Sequence, residues 1–290
     1  MAIHAGCRVT RVALTAIALI CFAFNSLLCR AALGPGLIDA VSFTLARLGS
    51  GAAVLWLIAA APKRDSTLRA PISASKIAGS ALALFLYALP FSLAYLRIPA
   101  GTGAFVIFCC VQITMIGWDL ITGGRLRPGE MGGLAIALVG LGWLTRPGDG
   151  SPDSTGVALM AVAGVAWGVY SIRGRTSGPP LEATARNFAA SLPLALLASA
   201  ASIATPHATA KGLVLALVSG GVTSGLGYVA WYAALPSLSP TRASILQLAV
   251  PPLASGLGVL LLGEVLSMRL LVAAPLILGG IALAVKSRRG

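Results

Sequence analysis

Only two histidines, His4 and His207, are present, one in a terminal tail and one in a connecting segment. The five cysteines (Cys7, Cys21, Cys29, Cys109, Cys110) show no paired spacing of the zinc-binding kind and read as small apolar fillers. There is no Asp-Asp-x-x-Asp run and no Gly-x-x-x-x-Gly-Lys loop to cradle phosphate. Metal, covalent and nucleotide chemistry therefore lack their usual residues, and neither an enzyme nor a cofactor is expected. What the chain offers instead is single polar groups set inside long apolar stretches. There they must find a partner, line a wet cavity or bind something.

Gln112, with Thr114 two residues on, is the first of these; it suits either a cavity wall or an interhelical hydrogen bond. Gln247 is followed by Pro251 and Pro252, whose missing N–H groups would free the carbonyls of residues 247 and 248 inside a helix. Pro90 would similarly free the carbonyl of Leu86 beside Tyr87. Broken or kinked helices are where transporters hold and release cargo, so Pro90, Pro251 and Pro252 are candidates for gating. Tyr87, Trp167, Tyr228 and Trp231 are candidate cavity aromatics, whereas Tyr95 and Tyr170, close to the ends of apolar runs, suit interfacial anchoring. Arg47 would lie roughly 13 Å deep in its run at ~1.5 Å per residue, and Arg186 shallower, able to snorkel. Both are candidates for anion contact or for a structural role at a helix end. Asp119 is the deepest acidic candidate, placed to take up a proton for coupling.

These residues are carried by ten apolar runs, at about 12–31, 38–60, 76–96, 99–121, 128–145, 156–173, 181–203, 211–235, 240–262 and 269–286. Each approaches or exceeds the length needed to cross a bilayer. The composition agrees. Of 290 residues, 57% are hydrophobic and 10% charged, with a mean hydropathy of +0.91. A soluble domain needs far more charged surface than that. The net charge of +13 is spread thinly between apolar runs rather than gathered into a patch, so no nucleic-acid partner is expected. With the N-terminus as reference, fourteen basic residues fall on its side and five on the other. A basic excess faces the cytoplasm, which places both termini there. The expected fold class is all-α, a polytopic membrane protein of ten transmembrane helices.

The halves match at a spacing near 140 residues: Phe91 with Trp231, Ala94 with Ala234, Gly123 with Gly263, Leu126 with Leu266, Gly140 with Gly280. Slightly different spacings pair Ala23-Phe24 with Ala166-Trp167, and Arg47 with Arg186. Five spans per half is an odd number, so the second half, 151–290, would be inverted relative to the first, 1–150. Inverted repeats suit carriers, because exchanging the two repeat conformations switches access from one side to the other.

The stretch Leu261-Leu262-Gly263-Glu264-Val265-Leu266-Ser267, the segment Leu276-Ile277-Leu278-Gly279-Gly280-Ile281, the element Ala166-Trp167-Gly168 and the arginines Arg47 and Arg186 resemble the drug/metabolite transporter superfamily. The likeness is to its ten-helix EamA-type branch, and within it to bacterial YddG-type amino-acid exporters. The chain departs from the pattern at Asn25, where glycine is usual, and at Gly124, where the first half lacks the glutamate. The resemblance implies a multi-pass carrier of the bacterial inner membrane with a central cavity lined by spans 1, 3, 4, 6, 8 and 9. It would export amino acids or related metabolites, including apolar or aromatic ones, by alternating access. Asn25 joins the cavity candidates on this ground, and Glu264 is expected at the outer boundary, orienting the last hairpin. A passive facilitator and a duplicated scaffold without transport are the alternatives. The expected partners are a small-molecule substrate and the lipid bilayer, with a homodimer left open.

Overall fold

The computed structural model describes residues 2–60, 73–123, 127–174, 180–202, 205–234 and 246–287, with the side chains of 2–11, 119, 180 and 232 outside that description. Helices follow one another along the chain: α1 (Ala2–Leu33), α2 (Ala40–Ala59), α3 (Ala74–Tyr95), α4 (Ala100–Ile121), α5 (Pro128–Thr145), α6 (Ser154–Gly174) and α7 (Pro180–Ala201). Then come α8 (Ala210–Val218), a π-helical segment π1 (Ser219–Leu226), α9 (Gly227–Ala234), α10 (Val250–Leu262) and α11 (Met268–Ser287). Among the described residues there is no strand, only an isolated bridge between Ile38 and Ala208. Helices satisfy their own backbone, which is what a hydrocarbon solvent demands. Seven helical stretches are long and apolar enough to cross a bilayer by length and composition. α7 carries Glu182 and Arg186, and α10 is only 13 residues long. Large apolar side chains face outward, Ile121 at 82% and Leu260 at 80% exposure, as lipid contact requires. The protein is a multi-pass membrane protein.

Helices of the two halves interdigitate. α1 packs on α8, π1, α9 and α10, while α6 packs on α3 and α4; α2 lies against α7, and α5 against α11. Gly123 (φ +95°) and Gly263 (φ +67°) each follow a helix in the left-handed region, where only glycine is unstrained.

Gly263 turns the chain so that Glu264 reaches α4. Both of its carboxylate oxygens accept from the Ala100 N–H, at 3.1 and 3.0 Å, capping a helix whose preceding Pro99 has no side-chain donor or acceptor. Arg30 donates to Glu264 at 3.3 Å and to the Tyr95 carbonyl at 2.8 Å. One carboxylate thus ties the ends of α1 and α3 to the start of α4 and to the α10–α11 turn. It caps α4 rather than its own hairpin.

At the same end of the bundle, Asp39 caps α2 through Val41 N and Ser42 N at 3.0 and 2.9 Å. Its other oxygen accepts from His207 N at 3.1 Å. Burial pushes the Asp39 carboxyl up, but hydrogen bonds from Ser42, His207 and Val41 outweigh it and hold the group below its ordinary value.

Candidate functional site

A cavity opens between the two halves. Its walls come from α1 (Phe22, Asn25, Ser26), α3 (Tyr87, Phe91), α4 (Ile107, Phe108, Val111), α6 (Trp167), α9 (Tyr228) and the segment before α10 (Gln247). Counted as apolar runs, these are the first, third, fourth, sixth, eighth and ninth. Phe22 and Phe108 touch both hydrophobic clusters of the protein, so the cavity lies on the seam between them. Trp167 stands between Tyr87 and Tyr228, with ring centroids 4.8 and 5.4 Å away. Phe22 meets Tyr228 edge-on at 6.0 Å. The wall is mostly aromatic, a lining suited to an apolar or aromatic group.

Behind this wall runs a buried polar chain. Arg47, 2% exposed, donates through Nη2 to the Tyr87 hydroxyl at 2.8 Å and through Nε to Ser224 Oγ at 3.4 Å. Asn25 Nδ2 donates to the same Tyr87 oxygen at 3.2 Å. Asn25 Oδ1 accepts from Ser219 Oγ at 2.8 Å and Thr223 Oγ1 at 3.4 Å. The three hydroxyls belong to π1, whose wide turns lie flat against α2. Gly220 makes that approach: a Cβ there would strike the Arg47 carbonyl and Ser50 Oγ. π-helical turns recur at functional sites for this kind of local re-aiming. The three hydroxyls of π1 are not among the candidates that the sequence offers.

Five of the sequence candidates therefore share one cavity: Asn25, Tyr87, Trp167, Tyr228 and Gln247. Trp231 sits behind it, 5.8 Å from Phe22 and packed with α1 and α10. Gln112 faces elsewhere. It is 5% exposed and borders a separate small space with Leu134, Ala137, Ile281 and Ala284, between α4, α5 and α11. One α4 face points at the cavity through Ile107, Phe108 and Val111, and Gln112 is on another.

Pro251 and Pro252 lie in the first turn of α10, not inside a continuous helix. Missing N–H groups cost nothing there, so the expected interior kink is instead a break at residues 248–249 followed by a new helix. Pro90 does lie inside α3. Arg186 on α7 is half-buried, unlike its deep counterpart Arg47. The Asp119 side chain lies outside the described residues. Tyr95 and Tyr170, 0% and 2% exposed, are core residues rather than interfacial anchors; Tyr95 packs edge-on to Phe91 at 4.7 Å.

The profile of the EamA-like transporter family matches residues 154–286. A Pseudomonas aeruginosa protein described as uncharacterised, PA1977, is 44% identical over 277 residues, covering 96% of this chain and 95% of its own. A crystal structure titled only as that of a protein superposes with a TM-score of 0.67 at 21% identity, covering 94% of this chain and 98% of its own. That likeness concerns the fold.

Proposed function

From the match of residues 154–286 to the EamA-like transporter family, we propose that the chain is a member of the drug/metabolite transporter superfamily and a secondary transporter exporting small metabolites, amino acids with apolar or aromatic side chains first. Ten spans in two inverted five-helix repeats, 1–150 and 151–290, carry it across a bacterial inner membrane with both termini cytoplasmic. The observation that carries this reading is the cavity between the halves. Aromatic rings make up most of its wall, a few amides and hydroxyls supply polarity, and the buried arginine stands immediately behind.

Reciprocal packing favours the repeat: α1 lies on the rod α8–π1–α9 as α6 lies on α3, and α1 on α10 as α6 on α4. The paired left-handed glycines at 123 and 263 agree with it. Alternating access then amounts to exchanging these two packings around a fixed site. Asn25, Tyr87, Trp167, Tyr228 and Gln247 would contact substrate. Pro90 and the break ahead of Pro251 and Pro252 would serve as hinges.

The test is counterflow of labelled amino acids in proteoliposomes. Saturable exchange stimulated by unlabelled substrate on the opposite side is the expected result. Linear, unsaturable flux would make the protein a facilitator or channel, and exchange confined to phosphorylated compounds would refute the substrate assignment.

A further inference from the structure

The polar chain behind the cavity is electrically incomplete. Arg47 Nη1 is buried and has no hydrogen-bond partner. The guanidinium lies 5.2 Å from the Tyr87 ring centroid and 5.0 Å from that of Phe91, both rings of the cavity wall. Ion pairs among the described residues are Arg30–Glu264 and Arg97–Asp153; none reaches Arg47. An arginine does not shed its proton, and a buried cation without an anion is one of the least favourable arrangements in a membrane protein. The anion that would balance it is not supplied by the described part of the chain.

Tyr87 shows where that anion would bind. A hydroxyl has one proton and two lone pairs. The Tyr87 oxygen receives both Arg47 Nη2–H and Asn25 Nδ2–H, which occupies the lone pairs. Its own proton must point elsewhere, and among the described residues none accepts it. Asn25 is held in this sense by Ser219, whose hydroxyl donates to its Oδ1 at 2.8 Å, while the Thr223 hydroxyl beside it donates at shorter range to the Ser219 carbonyl, 2.8 Å away. Tyr87 lines the cavity, so its O–H is left to a guest. A hydroxyl that accepts from a guanidinium is polarised by it and becomes a stronger donor.

We propose that the Tyr87 hydroxyl, backed by Arg47 and oriented by Asn25, is the subsite that binds the carboxylate of the transported molecule. The remaining wall, Phe22, Phe91, Phe108 and Trp167, receives an apolar body. The substrate class is then a small monocarboxylate with an apolar or aromatic side chain. Tyr87 touches the ligand, while Arg47 and Asn25 are positioning residues. This rests on the transporter reading above and adds the group by which substrates are selected.

The experiment uses purified full-length protein in proteoliposomes, measuring half-saturation for paired probes: L-leucine against L-leucinamide, and L-phenylalanine against L-phenylalaninamide. Wild type should prefer each acid over its amide by about tenfold or more. Tyr87→Phe removes the donor and should cut that preference to about twofold or less, weakening the acid far more than the amide, whose neutral carbonyl accepts a weaker hydrogen bond. Asn25→Asp is the second variant. It sets a carboxylate of the protein's own beside Tyr87 and Arg47, so thermal stability should hold or rise while the acid preference disappears. A merely structural role for Asn25 predicts the opposite, lower stability with the preference retained.

Acids and amides bound equally by wild type would overturn the carboxylate subsite and leave the transporter standing. The same holds if both variants keep the wild-type preference. Binding of neither member of any pair, alongside saturable exchange of other solutes, would overturn the amino-acid assignment and this subsite together.

Discussion

Glu264 joins the ends of α1 and α3 to the start of α4 and the α10–α11 turn, and its removal has a calculable cost. Glu264→Ala strips the cap from α4, where Ala100 N–H would lose both acceptor oxygens. Replacing an N-terminal cap by alanine costs about 1 kcal/mol. It also removes the ion pair with Arg30, whose partners are 25% and 14% exposed. An exposed pair is worth little, but this one is largely withdrawn from solvent, and a hydrogen bond to a charged group contributes about 1.5–3 kcal/mol. Arg30 keeps its bond to the Tyr95 carbonyl, which places the loss at the lower end. The combined loss for Glu264→Ala is then about 2–3 kcal/mol. Glu264→Gln keeps an oxygen for Ala100 and loses only the charge, about 1 kcal/mol on the same reasoning. Denaturation midpoints in detergent should fall in the order wild type, Glu264→Gln, Glu264→Ala. In a double-mutant cycle, Arg30→Gln should cost less by about 1 kcal/mol when combined with Glu264→Ala than when made in wild type. A glutamine variant as unstable as the alanine variant, or additive single mutants, would refute the claim that one carboxylate couples the four segments.

Three further outcomes can be checked on the same purified protein. Because its hydrogen bonds hold the Asp39 carboxyl below its ordinary value, its contribution is present above the unfolded-state pKa and is lost as pH falls through the native one; Asp39→Asn, which still caps, should flatten stability below about pH 4, and a wild-type acid profile would contradict this. Gly220→Ala places a methyl against the Arg47 backbone and should destabilise by about 1–3 kcal/mol, read as a lower thermal midpoint and altered substrate binding; an unchanged midpoint would show that π1 and α2 can separate freely. Pro251→Ala with Pro252→Ala should change stability by less than about 1 kcal/mol, since first-turn prolines give up no intrahelical bond; a larger loss in the denaturation midpoint would restore the interior-kink reading.

What the sequence disclosed and what it withheld divide along a physical line. Membrane helices are legible because hydrocarbon imposes length and composition on every span, and the six wall-forming runs are those that the family resemblance implies. Which face of a helix meets the cavity is a different matter. α4 is apolar nearly all round, so nothing in its periodicity distinguishes the Ile107–Val111 face from the one bearing Gln112, and the single amide draws attention to the wrong side. Tyr95 and Tyr170 mislead likewise: near the ends of runs, they look like anchors until the neighbouring helices cover them. The prolines of α10 read as a kink because a sequence shows a missing donor but not where the helix begins.

Arg47 shows the limit most clearly. Its depth is predictable from counting residues, yet depth alone does not separate a structural helix-end role from an anion contact. Deciding between them takes the bonding of Tyr87, a residue 40 positions away, whose two accepted bonds only the fold can assemble. In the matching half Arg186 stands half-buried, so the pair of arginines that looked equivalent in sequence is not equivalent in charge environment. On the proposed repeat, a scaffold that buries one cation and leaves its counterpart half-buried would have a polarity its backbone lacks. Substrates with one charged end and one apolar end would be held in a single orientation by that difference. Exchange of the two repeat conformations around them would then change which side they can leave from without changing which end faces Tyr87.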